Sequence, residues 1–436
     1  MAHQVNPDRE YRLLQQRLDR MVTGAPESPA LDKILHLLFT PQEAAMARRI
    51  PTIPTKLSKL SHMFGLPEDE LDGKLTELAR RGVVMDLSRD GQRYYALAPV
   101  VIGFFEFTFM RARDDMPMAE LAQLFHEYMF EDDRFMHAVF QGETQIGRSL
   151  VREEALSEED HVEILDWERA SHIVASATAV GVSICACRHK NEHLGEACDQ
   201  PQRTCFSLNF AAQSLIRSGV AEQISNKEGL AILEQAKEAG LAQTGDNVRR
   251  NVTYMCNCCG CCCGMMQAIR TFDLRNAIVT SNWIMEIDPE KCKGCGLCVK
   301  SCPVLAISIE EERENGRRKR WAVREETLCL GCGSCYPTCN LDAISMVSRE
   351  RRVYTPETTF DRVLAMAIER GKLAETVFAD PEQLSYKAVG RVIQALEKSS
   401  PLRAAAAIKP LRSVFLEGVV GNATRIAGRS QLQDMK

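Results

Sequence analysis

The chain has 436 residues, with 54 Lys and Arg against 59 Asp and Glu, a formal net charge of -5, and 18 cysteines. This length predicts about three domains, and so mild and dispersed a charge excludes a global field directed at nucleic acid or an anionic membrane. Met1 to Arg20 is polar and lacks the apolar stretch of a secretory or twin-arginine signal, and the longest apolar run, Ile173 to Ile184, is too short to span a bilayer.

Residues 1–30 read as a polar helix and linker. In residues 31–110, apolar residues at helical spacing predict helices over Leu31 to Phe39, Pro54 to Phe64 and Glu68 to Arg81, the last ending at Gly82. Val83-Val84-Met85 and Tyr94-Tyr95-Ala96-Leu97 read as strands joined by the hairpin turn Arg89-Asp90-Gly91. Three helices and a β-wing resemble the winged-helix family, which implies that the third helix would read DNA. That helix begins with Glu68, Asp69, Glu70 and Asp72, and carboxylates there would be repelled by phosphate. Docking to protein is the expected role, and a redox-responsive DNA-binding regulator is the alternative.

Residues 111–283 are expected to form a helical cysteine-rich domain. Ala119 to Phe130 and Leu156 to Ala179 have helical patterns, and Trp167, His172 and the methionines 116, 118, 129 and 136 read as core. The acidic groups Glu153-Glu154 and Glu158-Glu159-Asp160 read as solvated helix starts. Ten cysteines follow in two groups: Cys185, Cys187, Cys198 and Cys205, then Cys256, Cys258, Cys259, Cys261, Cys262 and Cys263. Six thiols within eight residues cannot all pack as small apolar side chains, so metal ligation is expected. Soft thiolate sets suit iron–sulfur clusters, zinc or Cu(I), and ten thiols can serve two cubanes with two left over, or one unusual cluster. A helix from Ser225, capped with Glu228 and running to Ala239, would be the spacer between the groups. Arg188, His189 and Lys190 follow Cys187, where positive charge would raise a cluster's potential. His189 and His193 read as solvated loop side chains, with metal ligation as the alternative.

Residues 284–350 hold Cys292-x2-Cys295-x2-Cys298-x3-Cys302-Pro303 and Cys329-x2-Cys332-x2-Cys335-x3-Cys339. The triple spacing lets one tight loop reach three irons of a cubane, whereas zinc knuckles use paired C-x2-C units. With Val304 to Ile307 after the first run and Leu341 to Ile344 after the second, this stretch resembles the two-[4Fe-4S] bacterial ferredoxin family. The resemblance implies two [4Fe-4S] clusters with crossed ligation: Cys292, Cys295, Cys298 and Cys339 on one, and Cys329, Cys332, Cys335 and Cys302 on the other. Asn340 stands where that family has proline, and Asn315-Gly316 predicts an added hairpin carrying the basic run Arg317 to Arg320. Over about residues 30–350 the chain is also similar to large ferredoxin-like proteins, which implies iron–sulfur electron transfer. In a chain that already carries two clusters, one or more additional Fe–S clusters are the expectation for the thiols of residues 185–263.

Residues 351–436 read as a helical tail, with helices over Thr358 to Arg370 and Gln383 to Leu396, another starting at Ala404 to Ile408, and a weakly ordered end from Asn422. The expected fold class is α+β, multidomain and mainly helical, with a winged-helix-like N-terminal domain and a βαβ-type two-cluster ferredoxin domain. No catalytic triad or dinucleotide-binding glycine loop is visible. The expectation is an iron–sulfur electron-transfer protein or oxidoreductase subunit working with a redox partner. It has no transmembrane segment, and so many closely spaced cysteines suit the reducing cytoplasm of a cell with anaerobic metabolism. An enzyme with a substrate-accessible upstream cluster is a further alternative.

Overall fold

The computed structural model describes residues 7–157, 164–314 and 317–377. The described residues form two compact units. The first comprises residues 7–108, 115–144 and 360–377, and the second residues 109–114 and 145–359.

The first unit is mostly helical. Ser28 Oγ accepts from Leu31 N–H at 3.0 Å and starts the helix Pro29–Leu38, whose Leu31, Ile34, Leu35 and Leu38 are buried, as i, i+3, i+4, i+7 spacing requires. Thr40 and Glu43 form a reciprocal capping box on Pro41–Ala47, a helix absent from the sequence expectation. Helices Leu57–Phe64 and Glu68–Arg81 follow, then strands β2 (Val84–Arg89) and β3 (Gln92–Leu97), with the short β1 (Thr55–Lys56) joining β3 on its other edge. Asp90 and Gly91 both take positive φ, which gives the hairpin the twist its strands need. The second predicted helix starts three residues later than Pro54, because Thr55 and Lys56 are spent on β1. Met118–Phe130 and Arg134–Phe140 bury Met118, Met129 and Met136, whereas Met116 is half-buried.

The second unit is built on a six-stranded antiparallel sheet in the order β4-β8-β9-β6-β5-β7. The strands are β4 (Gly147–Ser149), β5 (Val180–Ile184), β6 (Arg203–Leu208), β7 (Glu222–Ile224), β8 (Ala242–Asp246) and β9 (Tyr254–Cys258). This corrects the helical reading of the cysteine-rich region. β8 is buried at every position, so it lacks the two-residue alternation by which half-buried strands are recognised. The long helix expected over Leu156 to Ala179 is reduced to the single 3-10 turn Asp166–Glu168 and the helix Ala170–Ala175 among the described residues. Trp167 is half-buried and His172 exposed, not core. Glu153 accepts from Ser171 N–H and Oγ, and Glu154 pairs with Lys237, so neither is a merely solvated helix start. Glu158 to Asp160 lie outside the described residues. Helix Asn226–Glu238 forms with Ser225 accepting from Glu228 N–H at 3.2 Å, and its Ile232 and Leu233 join a core with Val180, Val182, Phe206 and Met255.

In the ferredoxin-like part, β10 (Trp283–Ile287) pairs antiparallel with β13 (Ile344–Ser348), and β11 (Ile307–Glu314) with β12 (Arg317–Arg324). The order strand, helix Leu297–Ser301, strand is present, but the pairings are antiparallel, which corrects the βαβ description; a βαβ unit joins parallel neighbours. Asn315 and Gly316 lie outside the described residues, as do the helices expected at Gln383 to Leu396 and Ala404 to Ile408. The helix expected from Thr358 spans Thr359–Glu369. Among the described residues no helix is long and apolar enough to cross a membrane.

Candidate iron–sulfur sites

Each C-x2-C-x2-C run wraps into a loop through glycines with positive φ. At Gly331 the requirement is steric as well, because a Cβ would lie 2.0 Å from the Trp283 carbonyl oxygen. Cys292, Cys295, Cys298 and the distant Cys339 line one pocket that is open to solvent, together with Ile287, Leu297, Ala343 and Ile344. Cys302 leaves this group and stands among Cys329, Cys332 and Cys335, whose charges act on it or on one another. The last cysteine of each run accepts a backbone N–H from four residues on: Ala306 to Cys302 at 3.2 Å and Ala343 to Cys339 at 3.4 Å. Ala322 N–H donates to Cys292 Sγ at 3.3 Å.

Burial pushes the Cys302 thiol up to about 11 and raises Cys298, Cys332 and Cys335. Buried thiols aimed at one another and fed by backbone N–H donors are costly as a metal-free set, and they match the needs of a thiolate-ligated cluster. The donor set, converging from both runs, therefore fits [4Fe-4S] clusters. Cys295 is exposed, whereas Cys298, Cys332 and Cys335 are buried.

Upstream, the sulfurs of Cys198, Cys259, Cys261 and Cys262 lie within 4.8 Å of one another. Cys198 donates to Cys259 at 3.6 Å and Cys262 to Cys198 at 3.8 Å. A hydrogen bond from Cys262 and the Arg188 guanidinium hold Cys259 down to about 4 against the effect of burial, while burial and Cys259 push Cys261 up to about 11. The other thiols gather around β6, β9 and two helix starts. Cys205 lies on β6, and Cys256 and Cys258 lie two apart on β9 and so on one face. Cys185 is the N-cap of Ala186–His193 and Cys263 that of Gly264–Phe272, with Cys187 in the first turn of the former.

Arg188 is fully buried. Its Nη1 donates to Asn257 O at 3.2 Å and faces Cys259 Sγ at 3.7 Å, and Nη2 donates to Thr204 Oγ1. Lys190 is buried beside Cys187 and Cys262, and burial lowers its pKa. His189 and His193 lie on a helix and not in a loop. His189 is buried with Nδ1 2.8 Å from the Phe109 carbonyl, which corrects the solvated reading. Sequence reasoning noted the charge at Arg188 but missed that Gly260 is needed for close approach. A Cβ there would lie 2.3 Å from the Pro303 carbonyl oxygen, so the Cys259-Gly260-Cys261 loop packs on the backbone following Cys302. A glycine inside a cysteine run is the signal that was available.

Comparison with known proteins matches residues 291–343 to the family described as 4Fe-4S dicluster domain. The chain is also similar to pyruvate synthase subunit PorD of Methanothermobacter marburgensis, at 57% identity over 28 residues, which is 6% of this chain and 35% of that protein. The chain thus spans about a third of that relative's length. No solved structure matches the chain. Residues 291–343 are a 4Fe-4S dicluster domain, and through it the chain carries two [4Fe-4S] clusters.

Proposed function

We propose that this chain is an iron–sulfur electron-transfer protein, or the electron-transferring subunit of an oxidoreductase, whose dicluster domain exchanges electrons with a redox partner. A [4Fe-4S] cluster, when bound, takes up and releases single electrons at a potential set by charge, hydrogen bonds to sulfur and exposure. The chain's own residues set those terms. In this reading Cys292, Cys295, Cys298 and Cys339 hold one cluster and Cys329, Cys332, Cys335 and Cys302 the other, while Ala306, Ala322 and Ala343 N–H groups moderate the thiolate charge. Ile287, Leu297 and Ile344 line the first site, which is exposed at Cys295.

The observation that carries the proposal is the crossed convergence of the two cysteine runs, with one set opening to solvent at Cys295. A partner can approach there. The similarity to a pyruvate synthase subunit supports work within an oxidoreductase assembly, and the many closely spaced cysteines suit a reducing cytoplasm. The winged-helix-like N-terminal segment serves as a protein-docking module. Asp72 is engaged with Arg93 and Tyr95 of its own wing, and the acidic turn Glu68 to Glu70 is a poor fit to phosphate.

Redox titration of anaerobically purified protein tests this reading. Reduced viologen should bleach the cluster absorbance by at least about two electrons per chain, and an oxidised dye should recover the same number. Clusters that take no electrons, or that do not return them, would overturn it.

A further inference from the structure

We propose that Cys198, Cys259, Cys261 and Cys262 hold a single tetrahedral zinc ion, in a closed structural site separate from the clusters of the dicluster domain. The proposal goes beyond the electron-transfer reading and does not depend on it.

The distances between sulfurs decide the kind of centre. Cys198 Sγ lies 3.6 Å from Cys259 Sγ and 3.8 Å from Cys262 Sγ, Cys261 Sγ lies 3.7 Å from Cys262 Sγ, and all four are within 4.8 Å of one another. Four sulfurs bound to one zinc at about 2.3 Å form a tetrahedron with edges of about 3.8 Å. Those three separations match that edge. In an iron–sulfur cluster the cysteines are divided among several irons and the core holds them apart, so a set gathered this closely does not enclose one. Among the described residues no other group of three or more thiol, imidazole or carboxylate side chains is gathered into such a site. Of the metals that accept four thiolates, zinc stands above ferrous iron in affinity for a given donor set. With every position filled by the protein, no place is left for a substrate, which is the mark of a structural ion.

The chain builds the set from two places. Cys259, Cys261 and Cys262 lie in the turn between β9 and helix Gly264–Phe272, and Cys198 lies in the irregular segment between helix Ala186–His193 and β6. The turn is pinned by the helix that follows it. Gln267 Nε2 donates to the Gly260 and Cys261 carbonyls, both at 2.8 Å, and Arg270 Nη1 donates to the Gly260 carbonyl at 2.7 Å. Three thiols are thus positioned locally, and the ion ties the Cys198 segment to them. Cys258, the residue before Cys259, ends β9, and strand alternation turns it away, to Thr244 Oγ1 at 3.3 Å and to Cys256 and Cys263. The other six upstream cysteines stay available to an iron–sulfur cluster.

Zinc with four thiolates carries net negative charge, and a fully buried cation meets it. Arg188 Nη1 faces Cys259 Sγ at 3.7 Å and is anchored by the Asn257 carbonyl at 3.2 Å. The same turn lies against the backbone of Pro303, next to Cys302, where a Cβ on Gly260 would clash. Zinc therefore fixes the loop on which this edge of the dicluster domain packs.

The test is zinc, iron and acid-labile sulfide per chain in full-length protein purified without oxygen and passed over a chelator, with X-ray absorption at the zinc edge. Wild type should retain about one zinc per chain, with four sulfurs at about 2.3 Å. Cys261→Ser, at an exposed position, and Cys198→Ala should each lose that zinc and keep the dicluster iron, whereas Cys205→Ser should keep both. A wild-type chain without zinc after the chelator, a zinc shell containing nitrogen or oxygen, iron in place of zinc that is lost from Cys261→Ser, or zinc that survives both ligand variants would each overturn the proposal. The wild-type count and spectrum decide even if a variant fails to fold. Failure of the proposed function would show instead in dicluster irons that take up no electrons, with the zinc count untouched.

Discussion

Cys302 and Cys339 carry the crossed arrangement, because each is the last cysteine of its own run and stands with the thiols of the other. Cys302→Ser is expected to disturb the site of Cys329, Cys332 and Cys335 while the Cys292 site keeps its spectrum, and Cys339→Ser should do the reverse. Electron paramagnetic resonance of the reduced variants distinguishes them, and loss of the same signal in both would refute the pairing. Each substitution should cost at most about four irons. Glu106 is expected to make the first unit's stability depend on pH. Glu106 Oε2 accepts from Gly103 N–H at 2.8 Å, and burial pushes its carboxyl up to about 8 from an ordinary value of 4.5. Between those values the folded chain keeps a proton that the unfolded chain has lost. The stabilisation is therefore fully present below pH 4.5 and is lost as pH rises through about 8. Glu106→Gln should raise the melting temperature at pH 8 by roughly 2–4 °C and change it little near pH 5. A melting temperature unaffected at both pH values would exclude this role.

At the scale of elements, the cluster loops depend on glycines for two separable reasons. Gly331 has φ +66° and no room for a Cβ beside Trp283 O and Ser281 Oγ, whereas Gly296 has φ +80° and nothing within 4 Å. Gly296→Ala should cost only the left-handed backbone penalty, about 1–2 kcal/mol. Gly331→Ala adds a backbone clash and should cost more, with iron lost selectively from the Cys302 and Cys329 site. Denaturant titration and iron content check the pair, and equal effects would show that space at Gly331 is not limiting. The element boundaries were legible where the chain carries local signals. Helix Glu68–Arg81 was expected at its observed limits because Gly82 stops it, and the Asp90-Gly91 hairpin because both residues accept positive φ. The six-stranded sheet was not legible. Its strands are short, β8 is buried along its whole length with Gln243, Thr244 and Asp246 inside, and these residues carry no alternating pattern. The polar ones are accommodated by partners distant in sequence or across the sheet, such as Asn257 for Gln243 and Thr253 for Asp246.

Across the whole molecule, the second unit has cysteines inside its apolar core, where Cys298 and Cys335 pack with Trp283, Met285, Ile307 and Met346. Metal affinity in such a unit is also folding energy. Protein stripped of iron by a chelator under reducing conditions should lose protease resistance within residues 145–359 and retain it within residues 29–108. Its melt should separate into two transitions, with the second unit's shifted lower by more than about 10 °C, since structural metal binding supplies several kcal/mol or more. Cleavage mapped by mass spectrometry makes the assignment, and uniform resistance across both units would show that the core holds without metal.

The sequence by itself determined the chemistry of the dicluster domain. Triple cysteine spacing is a local constraint: three thiols reach three irons only from a loop of that length, whatever surrounds it. It also determined the helix expected over Leu31 to Phe39, from its apolar stripe, and the helix capped by Ser225, since such signals act within a few residues. The sharing of the ten upstream cysteines was decided by tertiary structure. Cys258 and Cys259 are neighbours in the chain and turn to different thiol sets, and Cys198 reaches Cys259 across an interval of 61 residues. Strand alternation and the packing of the sheet choose those partners, and neither is written in the spacing of the cysteines.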